Sequence, residues 1–260
     1  MTPTIRQSGT SRSSEDVIRG STNIPLSKEG VAEAKERGIQ FHRKGGVDYI
    51  ASSSLHRAVE TAQAVHQANP KSSFKEVTRQ LHPWHLGCLE GQPTSKVLDQ
   101  MNSLIVDYPD RVPGNPGPGS MSTEKAESFN QFKKRFFDFL DGVIQRYLAN
   151  PKQKILLVTH YRDLKLMQAW QKKGFPRDFS VDYPEVTRKD GKPGDVYTLQ
   201  ADNIHGTLHD NWADWTYHKI DMQSLNGLKN GIYLLRHGFT ILNGENPSGR
   251  PADWQSLVKG

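Results

Sequence analysis

The sequence predicts an α/β fold built on a largely parallel sheet, and three observations carry that prediction. Ile155-Leu156-Leu157-Val158 is a continuous apolar run, as a strand buried on both faces requires, and it stops at Thr159-His160. Phe129, Phe132, Phe136, Leu140, Val143, Ile144 and Tyr147 recur at spacings of three and four, the period of a helix with one apolar face. Short apolar runs and amphipathic stretches alternate along the chain, the pattern of helices layered on a sheet.

Residues 1–20 are rich in Ser, Thr, Arg and Gly without an apolar period and read as a loop or flexible arm. The spacing of Val31, Ala34, Gly38 and Ile39 predicts a helix over 28–43, stopping before Gly45-Gly46. Asp48 to Ala51 reads as a short strand running into a Ser52-Ser53-Ser54 loop, followed by a helix over 56–68 with Ala58, Ala62 and Val65 inward. Residues 74–82 read as a strand. The stretch 92–125 reads as irregular, and PGNPGPG at 113–119 as loop. The long helix follows, with Ser128 as its N-cap. After 155–158 come a helix over 162–172 and strands at 195–200, 217–221 and 231–235. Trp170, Trp212 and Trp215, in or beside the less patterned 176–228, are expected to pack in the core. One domain over 1–260 is expected, with 244–260 a second flexible arm.

Composition narrows the classes. A chain of 260 residues with 35% hydrophobic and 24% charged residues can bury a sizeable core. No apolar run approaches the about 18 residues of a membrane span, and residues 1–20 lack the apolar centre of a signal peptide. A single cysteine, Cys88, cannot form an internal disulfide, so a cytoplasmic location is expected. The formal net charge is +6, but no five like charges run together, and Lys133-Lys134-Arg135 lies inside the helical pattern. That favours a site for small anions over a nucleic-acid surface.

Three strands end in residues suited to one chemistry. The first runs into Ser52-Ser53-Ser54-Leu55-His56-Arg57, the second ends in Thr159-His160, and the third in Arg236-His237-Gly238. Ligands of open α/β sheets bind beyond the carboxyl ends of the strands. Guanidinium forks match phosphate oxygens, and a neutral imidazole can attack phosphorus and carry the phosphoryl group. A glycine after the histidine lets the backbone turn against the ligand. Each residue also has a plainer reading. Arg-His-Gly arises by chance, a histidine after a strand can be structural, and an arginine at a helix start can sit on the surface.

Taken together, the motifs resemble those of the histidine phosphatase superfamily, also called the phosphoglycerate mutase-like family. LLRHGFTILN is similar to its strand with Arg-His-Gly, Thr and Asn, here Arg236, His237, Gly238, Thr240 and Asn243. RGSTNIPLSKEGVAEAKERG at 19–38 resembles its Pro-Leu stretch and helix, and IASSSLHRAVETA at 50–62 its Ser-Ser-x-x-Arg element. ILLVTHYRDLKLM at 155–167 and AESF at 126–129 resemble its His-ended strand and its Glu-Ser-Phe. The resemblance implies a three-layer α/β/α sandwich and phosphomonoester hydrolysis through a phosphohistidine on His237. It carries Arg236, Arg57 and His160 onto the phosphate-binding positions, with Asn243 near them. Thr240, Gly238 and Glu90 join the substrate-binding candidates. It implies no metal or other cofactor, and a small phosphorylated substrate. Neither nucleic acid nor membrane is expected as a partner, and a homodimer is left open.

The chain departs from the family pattern twice. Relatives carry the Arg-His-Gly strand first, whereas here it comes last, as in a circular permutant. The rival is that Ile5-Arg6-Gln7-Ser8-Gly9-Thr10, a faint echo of Arg-His-Gly-x-Thr, is a decayed first copy and the C-terminus the start of a second. The other departure is the proton donor. Aligning Leu81, Gly87 and Glu90-Gly91 puts Pro83 where relatives carry Glu. His85 is the nearest replacement, with His82, Glu90 and Asp163 behind it. Without a side-chain acid, the enzyme would be limited to good leaving groups or would turn over slowly. A mutase acting on sugar or glycerate phosphates is a second reading. A phosphate-ligand or protein-binding module without turnover is a third.

Overall fold

A six-stranded sheet in the order β2-β1-β3-β6-β4-β5 organises the molecule. The strands are β1 (Tyr49–Ser53), β2 (Ser73–Thr78), β3 (Lys154–Thr159), β4 (Val196–Ala201), β5 (Trp215–Ile220) and β6 (Gly231–Arg236). The helices are α1 (Lys28–Arg43), α2 (His56–Ala68), α3 (Thr94–Val106), α4 (Phe129–Ala149) and α5 (Tyr161–Lys172). The computed structural model describes residues 17–115, 125–174, 192–201 and 215–240 of the chain. The expected arm 244–260, Asn243, Trp212, the Ile5–Thr10 echo and most of PGNPGPG lie outside the described residues.

Strand alternation sends side chains to two separate cores. Ile155 and Leu157 of β3, with Ile232 and Leu234 of β6, pack against α3, α4 and α5. Leu156, Val158, Tyr233 and Leu235 face the other way, onto Phe41 of α1 and Ala58, Ala62 and Val65 of α2. Both faces are therefore covered, which is why these strands read as unbroken apolar runs. Trp170 and Trp215 lie in the first core, as expected.

The sheet is mixed. β2, β1, β3 and β6 pair in parallel, while β4 runs antiparallel to both β6 and β5. The strand expected at 195–200 is present, but strand–helix alternation does not foretell its antiparallel direction, because no described helix lies between β4, β5 and β6.

Helix α4 starts as its sequence dictates. Ser128 Oγ accepts from Gln131 N at 3.1 Å, and Ser128 N donates to Gln131 Oε1 at 2.8 Å, a reciprocal cap. Three expectations need correction. Residues 94–106 are not irregular but helical, with Val97, Met101, Leu104 and Ile105 buried on one face. The helix lacks a side-chain cap after Pro93, so its start signal is weak. Helix α1 turns Gly30, Ala34, Gly38 and Phe41 inward, while Val31 and Ile39 are 38% and 39% exposed. The cause is a close crossing: a Cβ on Gly38 would stand 2.8 Å from the Ala64 carbonyl oxygen of α2. Finally, residues 17–20 are not an arm. Ile18 is buried, its N–H donates to Gln92 O at 3.0 Å, and its carbonyl accepts from Gly91 N at 2.7 Å.

Phe136, fully buried in the larger core, tests this packing. Phe136→Ala is expected to lower unfolding free energy by about 3–5 kcal/mol in chemical denaturation. Val77→Ala, at an edge-strand residue 51% exposed, should change it by less than about 0.5 kcal/mol.

Candidate active site

Register brings three strand ends level. β3 and β6 pair from Lys154↔Gly231 to Thr159↔Arg236, so His160 and His237 emerge side by side. β1 pairs with β3 up to Ser52↔Val158, which sets Ser53 next to that pair. The His160 and His237 rings lie 5.1 Å apart between centroids, and His160 Nε2 is 2.8 Å from Ser53 Oγ. Arg57 enters from the first turn of α2.

Arg57 is buried and links three segments. Its Nη1 donates to Thr22 O at 2.6 Å, its Nη2 to Gly20 O at 3.1 Å, and its Nε to His237 Nε2 at 3.2 Å. On the opposite side of the ring, His237 Nδ1 is 2.7 Å from Gly238 O. A carbonyl can only accept, so Nδ1 carries the proton and Nε2 presents its lone pair. Burial, followed by the Arg57 and Arg236 cations, holds His237 well below the usual imidazole range, so the ring is neutral.

The loop after β6 is seated by contacts that only glycine permits. Ser27 N donates to Phe239 O at 2.9 Å, and a Cβ on Gly30 would lie 1.9 Å from that same oxygen. Gly238 N donates to Thr61 Oγ1 at 3.3 Å, and a Cβ there would meet Gly30 O at 2.7 Å. Thr240 is buried and bridges to Leu26.

A cavity of about 180 Å³ opens over these groups. Arg57, His160, Arg236, His237 and Thr240 line it, five of the residues the sequence singles out. Arg19 and Arg162 line it as well, and sequence reasoning missed both. Arg19 stood in the supposed arm. Arg162 had a usable signal, since it lies two residues past His160 in the first turn of a helix that follows a strand end. The Arg236 guanidinium lies 5.0 Å from the Tyr161 ring centroid. Burial lowers the pKa of Arg19 and Arg236, and pushes Arg57 down to about 9 with help from the Arg19 cation. Cations that depress one another in this way favour an anion between them. His160 is likewise lowered by burial and then by Arg57, and its buried Nδ1 makes no hydrogen bond.

The proton-donor candidates stand elsewhere. Pro83 lines the cavity, whereas His85, His82, Glu90 and Asp163 do not. His82 Nε2 is 2.6 Å from Ser54 Oγ, and its Nδ1 is 3.3 Å from His85 Nε2. Burial and then His85 push the pKa of His82 down to about 3. His85 N donates to Glu127 Oε1 at 3.2 Å, and Glu127 pairs with Arg135 at 2.6 Å. Glu90 braces the 20–22 loop, accepting from Ser21 N and from Leu86 N, each at 3.0 Å. Asp163 accepts from Thr159 Oγ1 at 2.5 Å and from His160 N at 3.2 Å, and burial raises its pKa to about 7. Among the described residues no group of His, Cys, Asp and Glu is arranged to hold a metal ion, and no helix is long and apolar enough to cross a membrane.

The model of the histidine phosphatase superfamily (branch 1) matches residues 5–204. The match includes the Ile5–Thr10 echo and leaves β6 outside. No curated protein matches the chain. Among solved structures, a mycobacterial glucosyl-3-phosphoglycerate phosphatase in complex with inorganic phosphate is 15% identical with a TM-score of 0.52, covering 80% of this chain and 92% of its own. A putative alpha-ribazole-5'-P phosphatase from Escherichia coli is 22% identical with a TM-score of 0.45, covering 59% and 70%. A phosphoglycerate mutase from Bacillus anthracis is 18% identical with a TM-score of 0.48, covering 64% and 77%. At these identities the likeness concerns the fold, and of the three the glucosyl-3-phosphoglycerate phosphatase carries it.

The buried histidines make stability depend on pH. His82, His160 and His237 bind protons more weakly folded than unfolded, so each withdraws stability as pH falls below about 6.5. Asp163, with its pKa raised, acts in the opposite sense up to about pH 7. Denaturation midpoints should therefore fall between pH 7.5 and 5.5, with net uptake approaching two protons on unfolding. In His82→Gln that slope should be shallower by about one proton, or about 1.4 kcal/mol per pH unit.

Proposed function

The chain belongs to the histidine phosphatase superfamily, and from that premise we propose that it hydrolyses phosphomonoesters through a phosphohistidine on His237. The observation that carries this reading is the pair of hydrogen bonds on the His237 ring. Gly238 O takes the Nδ1 proton, and the Arg57 cation holds the Nε2 lone pair at 3.2 Å, facing the cavity's cations. A neutral, oriented imidazole with no proton on its attacking nitrogen can accept a phosphoryl group once the Arg57 N–H turns from that nitrogen to the phosphate oxygens.

Arg57 and Arg236 neutralise the oxygens of the transferring group, and His160 flanks it in the cavity wall. Gly238 and Thr240 hold the loop that carries the nucleophile. Glu90 supports the 20–22 backbone to which Arg57 is bonded. We read 231–243 as the family's Arg-His-Gly element, which makes the chain a circular permutant although the family match begins at residue 5. The position of β6 between β3 and β4, beside His160 and Arg57, supports that reading. A phosphate-binding module without turnover is the second reading, favoured by the absence of a carboxylate among the described residues lining the cavity.

The test is direct. Wild-type protein should hydrolyse an aryl phosphate and, on acid quench, release an acid-labile phosphoenzyme. His237→Ala should lose the phosphoenzyme and roughly a thousandfold or more in kcat/KM. A His237→Ala protein as fast as wild type would sink the assignment. A phosphate-bound wild type that turns over no phosphoester would favour the binding module.

A further inference from the structure

We propose that the substrate is an organic diphosphate, whose terminal phosphoryl group passes to His237 and whose leaving group is the inner phosphate. This rests on the phosphohistidine reading and narrows its substrate from phosphomonoesters in general to a phosphoanhydride, with phosphate as the leaving group.

Two features of the cavity point the same way. The first is that no strong acid stands among the described residues of the lining. Breaking an alkyl phosphate ester expels an alkoxide, which needs a proton as it leaves. Among the described residues lining the cavity there is no Asp, Glu, Cys or Lys, and the two histidines are the nucleophile and His160. The one further proton carrier among them is the phenol of Tyr161, a group far less acidic than a carboxylic acid or an imidazolium. His160 is buried beside the Arg57 cation and resists protonation, so it is a poor acid. Two carboxylates bonded to the 85–86 backbone are engaged outside the cavity lining, Glu90 with Ser21 and Leu86, and Glu127 with His85 and Arg135. A phosphate, whose last ionisation lies near pH 6, departs as an anion with no acid at all.

The second feature is the number of cations. Arg57 and Arg236 flank the nucleophile, while Arg19 comes from the segment before α1 and Arg162 from the start of α5. One transferring phosphoryl group is matched by two guanidinium forks. Two further arginines on other elements suit a second phosphate, where the leaving group gathers charge. The lining also has an apolar part, formed by Val17, Ile18, Ile24, Leu98 and Met101. Leu98 is 39% exposed, so this wall reaches the surface. An apolar wall suits a carbon skeleton beyond the diphosphate better than inorganic pyrophosphate. The volume of about 180 Å³ fits the phosphorylated end of such a molecule rather than all of it.

The step balances without an added acid. His237 Nε2 forms a bond to the terminal phosphorus. The bond from that phosphorus to the bridging oxygen breaks, and its electron pair stays on the oxygen, which leaves as part of the organic monophosphate. Nδ1 keeps its proton, so the phosphorylated ring is cationic. Water then attacks phosphorus, the P–N pair returns to Nε2, and both water protons leave on dihydrogen phosphate.

The experiment compares 2-phenylethyl diphosphate, 2-phenylethyl monophosphate and an aryl phosphate on the full chain. The diphosphate should show kcat/KM at least a thousandfold above the monophosphate, releasing one equivalent of inorganic phosphate while 2-phenylethyl monophosphate accumulates. Arg19→Gln and Arg162→Gln should each lower the diphosphate value at least tenfold more than they lower the aryl phosphate value. If the aryl phosphate is hydrolysed through His237 but the monophosphate matches the diphosphate, the substrate class is wrong and the phosphohistidine reading stands. Equal losses on both substrates in the arginine variants would overturn the diphosphate site. No turnover of any of the three would overturn both readings.

Discussion

The Arg57 guanidinium, buried against the His237 ring, is the contact on which the site depends. A buried guanidinium is tolerated only when its donors find acceptors, and those acceptors lie on segments far apart in sequence. Two are the Gly20 and Thr22 carbonyls, and the third is Nε2 of His237. One side chain therefore anchors the 20–22 backbone, orients the imidazole and, after burial, helps to keep it neutral. Because that cation occupies the same site that holds phosphate oxygens in the proposed reaction, stability and function draw on the same group.

Strand register transmits this local requirement to the whole fold. His160 and His237 meet only because Thr159 pairs with Arg236, and a slip of one residue would turn every side chain of β6 to the wrong face. Leu234 and Leu235 belong to different cores, one with α4 and α5, the other with α1 and α2. The two apolar cores thus lock the alignment that the polar site needs. The crowding of Gly30 against Phe239 extends this from strand to loop, bringing the backbone after His237 into contact with α1.

Much of the fold was legible because apolar periodicity is a local signal. The boundaries of α1, the core positions of α4 and the β3 run follow from spacing alone. The misses also have local causes. Helix α3 begins without a side-chain cap, and its pattern lay beside a proline- and glycine-rich stretch that read as loop. The inward face of α1 was misjudged by one position because a close helix crossing selects glycine, which carries no hydropathic mark. In the site, Arg57, His160, Arg236 and His237 were legible as polar residues at strand ends. Arg19 was hidden in a polar segment whose apolar residues Val17 and Ile18 are held by contacts with 91–93.

By itself the sequence determined which residue types could meet a phosphate and which apolar runs must be buried. Both depend on side-chain chemistry and on periods of two and 3.6 residues. Tertiary structure alone decided that the last described strand lies between β3 and β4, and that Pro83, not His85 or Glu90, faces the cavity. Long-range register and helix crossing set those outcomes, and neither leaves a mark within a short stretch of chain.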